Sequence, residues 1–139
     1  MIDQKIIDFI SEHHVLTITT AKDNKPYTAN CFYVYLPEQN MFVFTTDKET
    51  RHGSEMLENP QVGANIVLET NTVGKIQGLQ ITGKAKELKG EDLKTGKRAY
   101  LKKYPYAVLK LETMWGLKPD FFKLTDNRLG FGKKLIWEQ

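Results

Sequence analysis

Residues 42–68 read FVFTTDKETRHGSEMLENPQVGANIVL. An aromatic and β-branched run closes at Thr45 and Thr46, which suits a strand. After the polar residues Asp47, Lys48 and Glu49, Thr50 offers a hydroxyl of the kind that caps a helix. A short helix then runs to about Glu58, with Met56 and Leu57 expected to turn inward. Asn59-Pro60 ends it, because a residue before proline is pushed out of helical backbone. Residues 61–68 return as a strand in which Gly63 is a candidate bulge.

The flanks extend the same pattern. On the N-terminal side, Ile2, Ile6, Phe9 and Ile10 recur at helical spacing, predicting an amphipathic helix over residues 2–12. Residues 15–20, 27–36 and 41–46 predict three strands joined by the turns KDNKP and PEQN, hence an antiparallel meander. On the C-terminal side, residues 75–88 predict a long strand interrupted by Gly78 and Gly83, as at a barrel corner. Residues 91–104 predict a helix stopped before Pro105, with Leu93, Tyr100, Leu101 and Tyr104 on one face. Residues 120–124 and 129–137 complete the set as strands joined by the turn TDNR. Strands in this number, with helices inserted between them, predict one mainly β domain over residues 1–139, an antiparallel barrel with peripheral helices.

The 139 residues suit one hydrophobic core. No apolar run has the length needed to span a bilayer as a helix, and the first residues lack the features of a secretory signal, so a cytoplasmic protein is expected. Cys31 is the only cysteine, which excludes an intrachain disulfide. The chain carries a net charge of +3, but residues 84–103 alone carry +5 and the remainder −2. That basic segment is either a solvated face or an anion-attracting one, nucleic acid included. There is no CxxC, HExxH, GxGxxG or P-loop, and no carboxylate–histidine cluster that would argue for zinc. His13 and His14 end the first helix, where cations suit the helix dipole. Cys31 has no base beside it in sequence and reads as a small buried hydrophobe.

The run of residues 42–68, followed by IQGLQITGKAKEL at 76–88, resembles the pyridoxamine 5′-phosphate oxidase-related FMN-binding split barrels. The tail TDNRLGFGKKLIW at 125–137, with TRH at 50–52, is similar to a narrower branch of small bacterial proteins, the YhbP-like family. The resemblance implies an antiparallel split β-barrel, a homodimer, and FMN held where the two copies meet. It also implies site residues. The phosphate falls to Thr50, Arg51 and His52 at the start of the helix, where free N–H groups and a positive dipole end favour anions. Arg51 can fork two N–H groups onto phosphate oxygens. Thr50 either caps the helix or donates to the ligand, and His52 is either a second phosphate donor or a solvent-facing side chain.

The flavin ring falls beside Ala29, Asn30, Cys31 and Phe32 on the second strand and Thr45 and Thr46 at the end of the third. Asn is disfavoured in mid-strand, so Asn30 is expected to need a buried or ligand partner. Ala29 stands roughly where the classical oxidases carry an arginine, which separates this chain from their substrate chemistry. Gln80 is a candidate for the phosphate or ribityl region. Lys133, Lys134 and Trp137, with Trp115 as a weaker candidate, are expected to cover the ring from the other copy. The function implied is that of an FMN-dependent oxidoreductase whose chemistry the cofactor carries. The alternatives are a flavin, deazaflavin or haem protein without turnover, or nucleic-acid binding through residues 84–103.

Overall fold

The computed structural model describes residues 1–139. In chain order the elements are α1 (Gln4–Glu12), β1 (Val15–Lys22), β2 (Lys25–Phe32), β3 (Val34–Leu36), β4 (Met41–Thr45), α2 (Arg51–Glu58), β5 (Gln61–Val67), β6 (Gln77–Glu87), α3 (Gly90–Lys103), β7 (Met114–Asp126) and β8 (Lys134–Glu138), with single 3₁₀ turns between some of them. Every strand pairing is antiparallel.

The barrel closes because one stretch changes partners. β1 and β2 form a hairpin through Asp23 and Asn24, both with positive φ, the backbone of a tight two-residue turn. At Tyr33 the chain leaves β1: the Tyr33 amide donates to the His14 carbonyl at 2.9 Å, and its fully buried phenol donates to the Ile10 carbonyl at 2.6 Å. Beyond it β3 pairs with β4, β4 with β7, β7 with β6, β6 with β5, and β5 returns to β1. The result is a split antiparallel β-barrel. Leu16, Ile18, Phe42, Phe44, Ile66, Leu79, Trp115 and Phe122 fill it, joined by Ile6, Phe9 and Ile10 of α1 and Met56 of α2. A smaller cluster lies outside, where Leu88 and Tyr100 pack on Met41, Val43 and Met114.

Several expectations need correction. The strand over 27–36 is two strands broken at Tyr33. The strand over 120–124 begins much earlier, at Met114, and accommodates Pro119 opposite a register shift at Thr82/Gly83, where a missing N–H is tolerated. A side chain on Gly83 would run into the Lys118 carbonyl, so the bend is there; Gly78 has ordinary room. Gly63 forms no bulge, because the β5–β6 register runs unbroken past it. Leu57 is exposed rather than inward-facing. Residues 127–133 form a 3₁₀ turn and a loop, and the last strand starts only at Lys134. Positive φ at Gly130 and Gly132 keeps that loop out of the sheet.

Candidate functional site

The loop between β4 and α2 is held by its own backbone. The Thr46 amide donates to the Thr113 carbonyl at 3.0 Å, and the buried Trp115 indole donates to the Thr46 carbonyl at 3.0 Å. Trp115 is therefore a structural anchor of the loop. Thr50 caps α2: its hydroxyl accepts from the Gly53 amide at 3.0 Å and donates to the Asp47 carbonyl at 2.7 Å. Gly53 is required, since a Cβ there would collide with that carbonyl. The amides of Arg51 and His52 donate to no group of the chain, as expected for the first residues of a helix.

Arg51 is fixed from two sides. Its Nε donates to Glu55 Oε2 at 3.0 Å, and its guanidinium carbon lies 4.2 Å from the centre of the Tyr27 ring. Glu55 is itself buried and accepts from the Thr20 hydroxyl at 2.8 Å. The Thr20 hydrogen bond, and then Arg51, hold its carboxyl below the usual carboxylate range. Both Nη groups of Arg51 remain without a partner, on a side chain about half exposed. His52 places Nε2 2.6 Å from the Thr46 hydroxyl. Burial pushes its pKa below the ordinary value, against the pull of Glu112 and Glu55, so the ring is neutral at pH 7 and offers a hydrogen bond rather than a charge.

On β2, Ala29 and Cys31 point into the barrel wall while Asn30 and Phe32 point out. Burial, with a smaller contribution from Glu112, pushes the Cys31 thiol up to about 11, which leaves it protonated and unreactive at neutral pH. Asn30 is not buried. It is exposed, and its Oδ1 accepts from Thr17, its cross-strand neighbour, at 2.8 Å. That bond supplies the partner a mid-strand Asn needs and leaves the amide nitrogen free. Thr45 closes β4 beside Tyr100; burial pushes the Tyr100 phenol up, against an opposing hydrogen bond with Thr45, and Cys31 and Glu112 add to the rise.

The fold thus gathers Thr46, Thr50, Arg51 and His52, with Cys31 and Thr45 beside them, and adds Tyr27, Glu55, Tyr100 and Glu112, which the sequence reading missed. Of these, only Glu55 carried a signal, its i,i+4 spacing from Arg51. Gln80 lies elsewhere, exposed on the outer face in the cross-strand row Asn30, Thr17, Asn65, Gln80, Lys123, Ile136. The tail is also remote in the same chain. Trp137 packs on Phe122 with ring centres 5.3 Å apart, Lys133 is exposed, and Lys134 pairs with Thr125, whereas Thr45 pairs with Met114 at the opposite end of β7.

Comparison with known proteins agrees with this architecture. The family model described as Pyridoxamine 5′-phosphate oxidase matches residues 2–125. A UPF0306 protein of Photorhabdus laumondii is 37% identical over 136 residues, covering 98% of this chain and 95% of the relative. Among solved structures, a heme binding protein from Mycobacterium smegmatis superposes with a TM-score of 0.77 at 17% identity, over 90% of this chain and 52% of the other, so this chain spans about half its length. The FAD binding protein from Mycobacterium smegmatis superposes with a TM-score of 0.70 at 15% identity, over 99% and 98% of the two chains.

Proposed function

The chain belongs to the pyridoxamine 5′-phosphate oxidase family, and from that premise we propose that it binds FMN in a site completed by a second copy of itself. The observation that carries this reading is Arg51. Its Nε is clamped by Glu55, its guanidinium lies over Tyr27, and its Nη groups have no hydrogen-bond partner in the chain. Beside it are the two free amides that open α2. A phosphate dianion suits that donor set: charge-assisted N–H bonds from a pre-oriented fork, plus helix N-terminal amides. His52, neutral and tied to Thr46, contributes a hydrogen-bond donor at most, and Thr50 contributes through the cap it forms.

The residues placed far apart in one chain fit a shared site. The outer face of β2, β1, β5 and β6 carries Asn30, Phe32 and Gln80 into solvent. A second copy laid on that face would add its own tail, with Lys133, Lys134 and Trp137, to the first copy's Arg51 cluster. When bound, FMN supplies hydride or electron transfer, and the protein holds and orients it. No side chain in the cluster is a persuasive acid or base, since Cys31 is protonated and His52 is engaged by Thr46. We therefore read the activity as a flavin-dependent oxidoreduction in the cytoplasm, where a lone buried thiol is at home. Haem is less well served, because the one histidine in the cluster has Nε2 committed to Thr46.

The test is the visible spectrum of the purified protein. Bands near ~370 and ~450 nm, with FMN released on denaturation, are expected; a Soret band would support haem instead. Arg51→Ala should weaken FMN binding by about 1.5–3 kcal/mol, and Arg51→Lys, which keeps the charge and loses the fork, by less. Equal affinity in Arg51→Ala would overturn the phosphate assignment.

A further inference from the structure

A second place in the molecule is built for negative charge. Lys84 on β6 and Lys118 on β7 stand directly opposite each other across the two strands. Like charges in that position destabilise a sheet, and neither ammonium has an acidic partner. Two residues along, Lys86 is paired across the strands with Gly116, over which Met41 and Leu88 pack. These lysines and Lys89, the residue before α3, surround a hollow of about 410 Å³. Its apolar part comes from Met41 and Leu88, which lie over Gly116. Two carboxylates also line it. Glu87 is neutralised by Lys48 at 2.8 Å, which leaves Asp92 against four unpaired lysines. At the same place α3 starts without a side-chain cap.

We propose that this hollow is a binding site for a small phosphorylated molecule carrying a diphosphate or longer phosphate chain. A single negative charge would leave most of the ammonium groups unmatched, and the volume is that of a small-molecule site. Binding would relieve the Lys84–Lys118 repulsion, so stability given up in the free protein returns in the complex. Along α3, Lys97, Arg98 and Lys102 stay exposed, but the other two basic residues are engaged within the chain, so the helix carries a broken stripe whereas the hollow gathers its lysines around a small-molecule volume. Lys94 is paired with Glu91, and Lys103 turns inward to donate to the carbonyls of His13 and Tyr33. The site is separate from the Arg51 cluster and does not depend on the flavin reading.

Inorganic tripolyphosphate, titrated calorimetrically into the full chain at low salt, is the probe. The parent protein should bind it saturably, with its melting temperature raised by the ligand. Lys84→Gln should weaken binding about tenfold, while Lys94→Gln leaves it unchanged. Lys118→Glu should abolish binding and at the same time raise the melting temperature of the free protein, because a repulsive cross-strand pair becomes attractive. That opposite movement is not expected of a residue that merely supports the fold. FMN content should be the same in Lys118→Glu as in the parent, whatever that content is. Absence of saturable binding to the parent protein, or undiminished binding to both Lys84→Gln and Lys118→Glu, would overturn the proposal. So would binding of single-stranded DNA through these lysines with no response to tripolyphosphate.

Discussion

On the outside of β3, β4 and the first half of β7, Leu88 and the helix α3 cover the sheet, and Val43 beneath them is fully buried. The outside of β1, β5 and β6 is bare by comparison, and at its edge Phe32 of β2 meets Tyr104, the residue that closes α3, with ring centres 5.4 Å apart. There Phe32 is 57% exposed, Val15 44% and Val67 64%. The strands differ accordingly: β4 (MFVFT) and the start of β7 are buried on both faces, whereas β1, β2 and β5 alternate between a buried and a more exposed row. The covered face is a second small core that the chain completes by itself. The bare face is mixed: the row Asn30, Thr17, Asn65 and Gln80 is polar, with Phe32, Val15 and Val67 along one side of it. The second copy proposed above would sit on the side of the barrel that carries Asn30, Phe32 and Gln80.

Matched substitutions test the contrast. Val43→Asp buries a charge with no partner and should cost about 4 kcal/mol or more, enough to unfold the chain, as circular dichroism would show. Val67→Asp on the bare face should leave a folded chain that no longer self-associates and loses flavin; a folded, flavin-loaded dimer would remove the bare face from the account. The glycines give a milder pair. A Cβ on Gly116 would sit 2.6 Å from Leu88 Cδ2 and 2.7 Å from Met41 Sδ, so Gly116→Ala should destabilise by about 1–3 kcal/mol. A Cβ on Gly63 meets nothing closer than 3.8 Å within the chain, so Gly63→Ala should change the stability of the single chain by about 0.5 kcal/mol or less. Any larger effect of Gly63→Ala, read in denaturant melts below the association range, would contradict the openness of that face.

The smallest effect is one of pH. The folded pKa of His52 lies below its ordinary 6.5, so on acidification the unfolded chain takes up this proton first. Its contribution to stability is present above that value and is lost as pH falls through it toward the folded pKa. Glu55, whose folded pKa is also depressed, acts in the same direction in a lower window, as pH falls through the ordinary carboxylate range and below. The melting temperature of His52→Gln should therefore fall less than that of the parent between about pH 7 and pH 5.5. Equal slopes would mean that burial does not hold the ring neutral.

Much of the barrel was legible because its signals are local. Thr50 caps a helix, Asn59-Pro60 ends it, and β-branched runs flank both, all within short reach in sequence. The strand switch at Tyr33 was not legible, since alternation through residues 27–36 continues smoothly and only the hydrogen bond to His14 shows the chain changing neighbours. The long β7 was hidden by Gly116 and by Pro119, a residue that disfavours a strand until the register shift opposite it is seen. At the site, the donor residues were readable from their position at a helix start. Their supports were not: Tyr27 under Arg51 and Thr20 behind Glu55 are contacts between distant segments, which no spacing announces.

Sedimentation velocity of the protein loaded with FMN, followed both at ~280 nm and at the flavin band near ~450 nm, tests the central claim most directly. The account predicts that flavin absorbance travels only with a species of twice the chain mass, and that dilution or Val67→Asp releases both flavin and monomer together. Flavin sedimenting with the single chain, or a dimer that takes up none, would contradict it.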